Sequence, residues 1–403
     1  MNPRLNRLHA YPFERLARLK AGATPPAALP HIAMSIGEPQ HAPPAFVLDS
    51  LRENLHRLGS YPATAGLPEF RTSAAHWLQR RFELPVGSVN PDTMVLPVNG
   101  TREALFSFVQ AVVDDQQTKP LVAMPNPFYQ IYEGAALLAG AEPWFMNMTA
   151  ADGYVPDLNA VGEYNWRRCQ VLFLCSPGNP TGTVFSQDFL RQALDLANHH
   201  DFIIAADECY SEIFPDEANP PSGLLQAARA AGHDSFQRCV VFHSLSKRSS
   251  VPGLRSGFVA GDPRVLAKFL LYRTYHGSAM SVPTQLASIA AWDDDEHVVA
   301  NRRLYQEKFD RVIPILSDVL DMERPQGGFY LWTDIRGDDE AFTRRLFAEK
   351  NVTVLPGSYL ARESGGINPG AGRVRISLVP TVDQCVEAAH RIRSLLIEVE
   401  GNR

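Results

Sequence analysis

The sequence predicts an α/β protein, with a large domain on a mainly parallel sheet and a smaller α+β domain beside it. Two observations carry this. Short apolar runs recur at 93–98, 121–124, 171–175, 202–206, 239–243 and 256–260, each continuous rather than alternating, as in strands covered on both faces. Helical patterns separate them, until a change of rhythm after about residue 280.

Length sets the frame: 403 residues exceed one ordinary core of roughly 100–200 residues. The first segment, with "AGATPPAALP", reads as an arm that joins the smaller domain. The division is therefore 1–44 for the arm and part of the small domain, 45–280 for the large domain, and 281–403 for the small one. Within 101–113, Leu105, Phe108, Val109, Val112 and Val113 fall on one helical stripe. Within 186–200, Leu190, Ala193, Leu194 and Ala197 do the same behind Ser186 as N-cap. Beyond 280 come a charged helical pattern over 297–320, "GGFYLWTDI", a helix, "VTVLPG", "RVRISLV" and a last helix. That order suits helices on one side of a small sheet.

Composition excludes several classes. A hydrophobic content of 45%, a charged content of 20% and a formal net charge of −6, spread along the chain, leave no nucleic-acid or membrane surface. The acidic run at 293–296 reads as a helix start or a solvated loop. Cys169, Cys175, Cys209, Cys239 and Cys385 are scattered, odd in number and without C-x-x-C spacing. Neither a metal site nor a disulfide framework is expected, and a reducing cytoplasm fits. No apolar stretch has signal or membrane-spanning length, so a soluble, cytoplasmic protein is expected.

Ligands of a parallel sheet bind beyond the carboxyl ends of its strands, so those ends carry the functional reading. After Val98 comes "NGTREA", a helix start whose free N–H groups suit a phosphate, or simply a cap. It is not a P-loop, since G-x-x-x-x-G-K-[ST] is absent. "PNPFYQIYEG" offers either core packing or an aromatic face for a flat heterocycle. "SPGNPTGTVFS" fixes an irregular backbone around Asn179. In "DECY", Asp207 directly follows an apolar run, which is costly unless a cation partners it. In "HSLSKRSSVPGLR", a desolvated Lys247 has a lowered pKa and can attack carbonyls, while Ser244 and Arg255 can hold a dianion. Amine, phosphate cradle, stacking ring, Asn and Tyr donors and an acid together suit pyridoxal 5′-phosphate.

With "SPGNPTG", "DE-x-Y" and "S-x-S-K" followed eight residues on by an arginine, the chain resembles the fold type I, aspartate-aminotransferase-like PLP enzymes over essentially its whole length. "PNPFYQIYEGA", "SLSKRSSVPGLRSGFVAGD" and "LYRTYHGSAMS" are similar, more narrowly, to the N-succinyldiaminopimelate aminotransferases of lysine and peptidoglycan-precursor synthesis. The resemblance implies that Lys247 joins the cofactor and then moves the substrate proton as base and acid. It implies that Asp207 keeps the pyridine nitrogen protonated, that Asn179 and Tyr210 hold the ring 3-oxygen, and that Tyr129 stacks on the ring. Gly100, Thr101, Arg102, Ser244 and Arg255 would hold the phosphate, joined by Tyr61 in "YPATAGLPEFR" from a neighbouring subunit, hence a homodimer with shared sites. Arg375 in "RVRISLV" would clamp the substrate α-carboxylate, and Gly37 in "SIGEP" would let backbone approach it. Arg273 is a candidate for a distal carboxylate by location only, a surface or phosphate-side role being the alternative.

Sister aminotransferases for aspartate, aromatic amino acids or acetylornithine stay open, as does a PLP lyase. Regulators that fuse this fold to a DNA-binding module need more than the 36 residues that precede Gly37.

Overall fold

Residues 1–400 are described by the computed structural model. Its strands, in chain order, are β1 (Ile32–Ala33), β2 (Val95–Val98), β3 (Leu121–Asn126), β4 (Glu142–Asn147), β5 (Cys169–Cys175), β6 (Ile203–Asp207), β7 (Cys239–Ser244), β8 (Gly257–Gly261), β9 (Tyr330–Asp334), β10 (Val352–Thr353), β11 (Leu355–Pro356) and β12 (Arg373–Ser377). The larger sheet has the order β2-β8-β7-β6-β5-β3-β4. From β7 to β4 every neighbouring pair is parallel, whereas β8 runs antiparallel to both β2 and β7.

Both faces of this sheet are covered, which is why its strands read as continuous apolar runs. Along β5, Leu172 and Leu174 join one core, with Trp77 and Phe258, while Val171 and Phe173 join another, with Phe108 and Phe269. The reversal of β8 has a positional consequence. In register Ser244 faces Gly257, so the start of β8, with Arg255 just before it, lies at the rim where β7 ends and Lys247 follows. The strand β4 was not anticipated: it is an edge strand with a half-exposed, Pro-containing sequence, "EPWFMN", and edges need no apolar run.

Helices sit where the caps place them. Gly100, at φ +83°, precedes the helix Thr101–Val112, and the Ser186 side chain accepts from Phe189 N at the start of Gln187–His200. Antiparallel β11, β12 and β9 form the second sheet. The arm contributes β1, paired in parallel with β10, and its Ile32 and Met34 enter a core with Phe309, Leu316, Val374, Ile376 and Ile392. The helix Val282–Asp293 packs into the larger sheet's core through Ala287, Ala291 and Trp292. Among the described residues no helix is long and apolar enough to cross a membrane.

Candidate active site

A cleft of about 620 Å³ opens where the larger sheet's strand ends face the smaller sheet and the arm. Lys247 reaches it from the four-residue helix Leu245–Arg248, whose N-cap Ser244 accepts from Ser246 N at 3.1 Å. Its Nζ donates to Gly37 O at 2.9 Å. Burial lowers the amine's pKa to about 8, against the Cys209, Asp207 and Glu38 charges that raise it.

Asp207 closes β6 and is 5% exposed. Its Oδ2 accepts from the Tyr132 hydroxyl at 2.7 Å and its Oδ1 from Cys209 N at 3.3 Å. Burial pushes its pKa up, while the Cys209 and Tyr132 hydrogen bonds hold it down. Among the described residues no Lys, Arg or His is ion-paired with this carboxylate. A buried acid without a cation calls for one from outside the chain.

At the other end of the cleft, Thr101 Oγ1 meets Cys209 Sγ at 3.1 Å and Ser244 Oγ donates to Ser246 Oγ at 3.0 Å. Arg255, at φ +53°, donates through Nη1 to Pro252 O at 2.9 Å. Gly100 lies against Arg255, where a Cβ would fall 2.3 Å from Nη2, and its φ of +83° is a backbone conformation that favours glycine. Helix start, hydroxyls and guanidinium together face one rim, as an anion site needs. Arg102 Nε donates to the Tyr129 hydroxyl at 2.7 Å, and its Nη2 to that of Tyr11 at 3.4 Å.

On the opposite wall Arg375 projects from β12. Nη1 donates to Asn179 Oδ1 at 2.8 Å and Nη2 to Ser35 O at 2.7 Å, while Nε is buried without a partner. Its guanidinium lies 4.4 Å from the Tyr330 ring centroid, and the Tyr210 and Tyr330 hydroxyls are 2.8 Å apart. A Cβ on Gly37 would lie 1.9 Å from the Tyr330 oxygen.

The cleft thus brings together Gly37, Thr101, Arg102, Tyr129, Asn179, Asp207, Tyr210, Ser244, Lys247, Arg255 and Arg375, with Gly100 against Arg255. Tyr61 does not join them; it is fully exposed on the surface. Arg273 is a correction. It is 0% exposed, forms an ion pair with both Glu103 oxygens at 3.0 and 2.9 Å, and donates to Ser278 O. It is a structural cation and does not line the cleft. Tyr132, Tyr330, Cys209, Glu38 and Tyr11 were missed by the sequence reading. Tyr132 had a signal, standing three residues after Tyr129 in the same aromatic-rich stretch; Tyr330 had none beyond an apolar strand.

These residues fit pyridoxal 5′-phosphate: an uncompensated buried acid, a desolvated amine of lowered pKa and an anion cradle surround one cleft. The architecture is the aspartate-aminotransferase-like fold of type I PLP enzymes. The chain belongs to the aminotransferase class I and II family, whose model matches residues 30–392, and its cofactor is pyridoxal 5′-phosphate. It is similar to an aminotransferase from Neisseria meningitidis Z2491, with 52% identity, a TM-score of 0.94 and coverage of 98% of this chain and 100% of that one. The aminotransferase AspB from Helicobacter pylori 26695 is 36% identical, with a TM-score of 0.88 over 96% of this chain and 98% of that one. LL-diaminopimelate aminotransferase from Desulforudis audaxviator is 30% identical over 98% of this chain and 97% of its own length.

Proposed function

We propose that this PLP-dependent aminotransferase moves an amino group between glutamate and N-succinyl-2-amino-6-oxopimelate, giving 2-oxoglutarate and N-succinyl-L,L-2,6-diaminopimelate. The observation that carries the amino-transfer reading is the meeting of half-buried Lys247 and buried Asp207 in one cleft opposite Arg375. When bound, the cofactor supplies an electron-withdrawing ring that takes up charge from the substrate Cα. Lys247, depressed to about 8, has an amine that can attack carbonyls and move the Cα proton near neutral pH. Asp207 would hold the ring nitrogen's proton, and its own donors Tyr132 and Cys209 favour its anionic form against burial. Asn179 and Tyr210 would hold the ring oxygen, Tyr129 would cover the ring face, and Gly100, Thr101, Arg102, Ser244 and Arg255 would hold the phosphate. Arg375 takes the α-carboxylate of either substrate, with Gly37 backbone beside it.

The substrate reading rests on the motifs shared with the succinyl-specific enzymes, "PNPFYQIYEGA", "SLSKRSSVPGLRSGFVAGD" and "LYRTYHGSAMS". A second reading is free LL-diaminopimelate, the substrate in the name of the 30% identical relative. Glu38 favours it, since a carboxylate lining the cleft suits the distal ammonium that acylation removes. The test is kcat/KM for succinylated against free LL-diaminopimelate, acetylornithine and aspartate, with 2-oxoglutarate as acceptor. The succinylated compound should lead by about tenfold or more; free diaminopimelate in the lead establishes the second reading.

The proposal extends to a homodimer with Tyr61 serving the partner's phosphate, and to a cytoplasmic setting. It also covers the division into arm (1–44), large domain (45–280) and small domain (281–403). The packing of Val282–Asp293 into the larger core supports moving that last boundary to the start of the helix Glu296–Leu316.

A further inference from the structure

One buried lysine lies outside the cleft and has no carboxylate partner among the described residues. Lys308, on the helix Glu296–Leu316, is 1% exposed. Its Nζ donates to Val379 O at 3.1 Å and meets His41 Nε2 at 2.7 Å. A carbonyl and an imidazole satisfy hydrogen bonds but neutralise no charge, so burying this amine is costly.

The donor and acceptor roles along these bonds are fixed by chemistry. Asn301 Nδ2 donates to Lys247 O at 3.1 Å and Arg248 O at 3.2 Å. Its Oδ1 is therefore the atom that faces His41 Nδ1 at 2.7 Å. An amide oxygen only accepts, so Nδ1 carries the proton; the neutral ring then offers Nε2 as an acceptor, and the Lys308 amine must donate. Burial holds the His41 pKa down, with the Lys308 charge adding to it against the Asn301 bond, which agrees with a neutral ring.

The chain of bonds ends on the helix that carries Lys247. The two carbonyls that Asn301 caps belong to Leu245–Arg248, and carbonyls at a helix C-terminus lack intrahelical partners. Asn301, Tyr305 and Lys308 lie on one stripe of their helix, and the Tyr305 ring covers His41 at a centroid distance of 4.4 Å. From the other side, Ser250 Oγ donates to His41 O at 2.8 Å, and Lys247 Nζ to Gly37 O at 2.9 Å. The loop from Gly37 to His41 is tied at both ends to the Lys247 turn.

We infer that Lys308 is a positioning residue: by donating to His41 it locks the Nδ1–H tautomer, which orients Asn301 and so holds the turn that presents Lys247 to the cleft. The inference rests on the reading of Lys247 as the cofactor lysine. Without the Lys308 amine, His41 is free to carry its proton on Nε2, leaving two acceptors facing each other at Nδ1 and Asn301 Oδ1. An amide flip that relieved this would set Oδ1 against the carbonyls of Lys247 and Arg248. Either outcome loosens the turn. The titratable groups that face Lys308 are His41 on the arm, Cys385 on the last helix, and Glu307 and Tyr305 on its own helix, the Tyr305 ring centroid lying 4.9 Å from Nζ.

The test uses the holoenzyme and Lys308→Met. We expect kcat to fall by about tenfold or more while KM changes less than about threefold. The pH midpoint of the bound cofactor's visible absorption should move by about half a unit or more. In ¹⁵N-histidine spectra, the His41 signals should change from the Nδ1–H pattern to a mixture of tautomers. Asn301→Ala removes both donors to the turn without touching Lys308, so it should reproduce the kinetic and absorption changes even if Lys308→Met does not fold. Unchanged kcat and absorption midpoint in a folded variant overturn the inference. Borohydride labelling separates this from the underlying reading: label on Lys247 with silent variants defeats the relay alone, whereas label on another lysine defeats the reading of Lys247.

Discussion

The Tyr132 hydroxyl donates a 2.7 Å hydrogen bond to Asp207 Oδ2, and its ring stacks on Phe173 at 4.3 Å. All three side chains are buried. Desolvation raises the Asp207 pKa, and donors to the ionised form lower it. Tyr132 therefore helps keep the acid anionic, the form that best stabilises a protonated ring nitrogen.

Tyr132→Phe removes that donor and little else. A hydrogen bond to a charged group contributes about 1.5–3 kcal/mol, so the Asp207 pKa should rise further and kcat should fall about tenfold or more. Asp207→Ala should cost more than Tyr132→Phe, and in both variants cofactor affinity should suffer less than turnover. Steady-state kinetics with cofactor titration checks this. Near-normal kcat in Asp207→Ala would show that the acid is misassigned.

Lys247 should carry the borohydride-fixed cofactor, and Lys247→Ala should bind cofactor through the phosphate and stacking contacts but lose amino transfer by several orders of magnitude. Peptide mapping reads the first claim and a stopped assay the second. The lowered pKa also sets a sign. In cofactor-free protein the folded Lys247 titrates near 8, below its ordinary value of 10.5, so between those values the folded state binds fewer protons than the unfolded one. Stability should rise with pH across that window, by at most on the order of 3 kcal/mol for this group. Lys308, also held at about 8 by burial, adds a rise of the same sign. Lys247→Met should therefore remove part of the slope in denaturant titrations from pH 8 to 10, and an unchanged slope would contradict the burial of the amine.

What could be read from the sequence was whatever announces itself locally. Lys247, Asp207 and Asn179 each interrupt an apolar run at a strand end, and the sheet gathers such ends at one rim. Tyr330 and the Lys308–His41–Asn301 chain gave no comparable signal, because their meaning depends on partners far away in sequence: His41 and Lys308 are 267 residues apart. Arg273 could be placed only by location, with its role left open, for the same reason: its partner, Glu103, is 170 residues distant. The reversal of β8, which puts Arg255 at the rim, also escaped periodicity, since a strand's residues look alike in either direction.

Tyr61 has no shelter within its own chain, at 102% exposure, and Leu55 and Leu58 nearby are also exposed. Large side chains grouped this way suit a surface covered by a second copy. We expect a dimer in sedimentation at assay concentration, with Leu58→Asp shifting it towards monomer and weakening cofactor retention. Tyr61→Phe should keep the dimer yet release cofactor faster. A fully active monomer would rule out the shared site.

Arg375 makes the last prediction. It is 4% exposed, and among the described residues it has no carboxylate partner, only Asn179 Oδ1, Ser35 O and the face of Tyr330. A buried guanidinium without an anion is costly, and its planar fork matches a carboxylate through two parallel bonds. An incoming α-carboxylate would supply the missing charge, and Nε, now without a partner, would offer a further donor. Every amino donor and every oxo acceptor of transamination carries this group, whatever the far end of the molecule is. Arg375→Lys keeps the charge but loses the fork, so kcat/KM should drop by about 100-fold or more. The drop should be of similar size for glutamate and for the diaminopimelate substrate. An amine lacking the α-carboxylate should be processed no worse by the variant than by the parent enzyme. A loss confined to one of the two substrates would mean that Arg375 reads a distal group instead, and that the α-carboxylate is held elsewhere in the cleft.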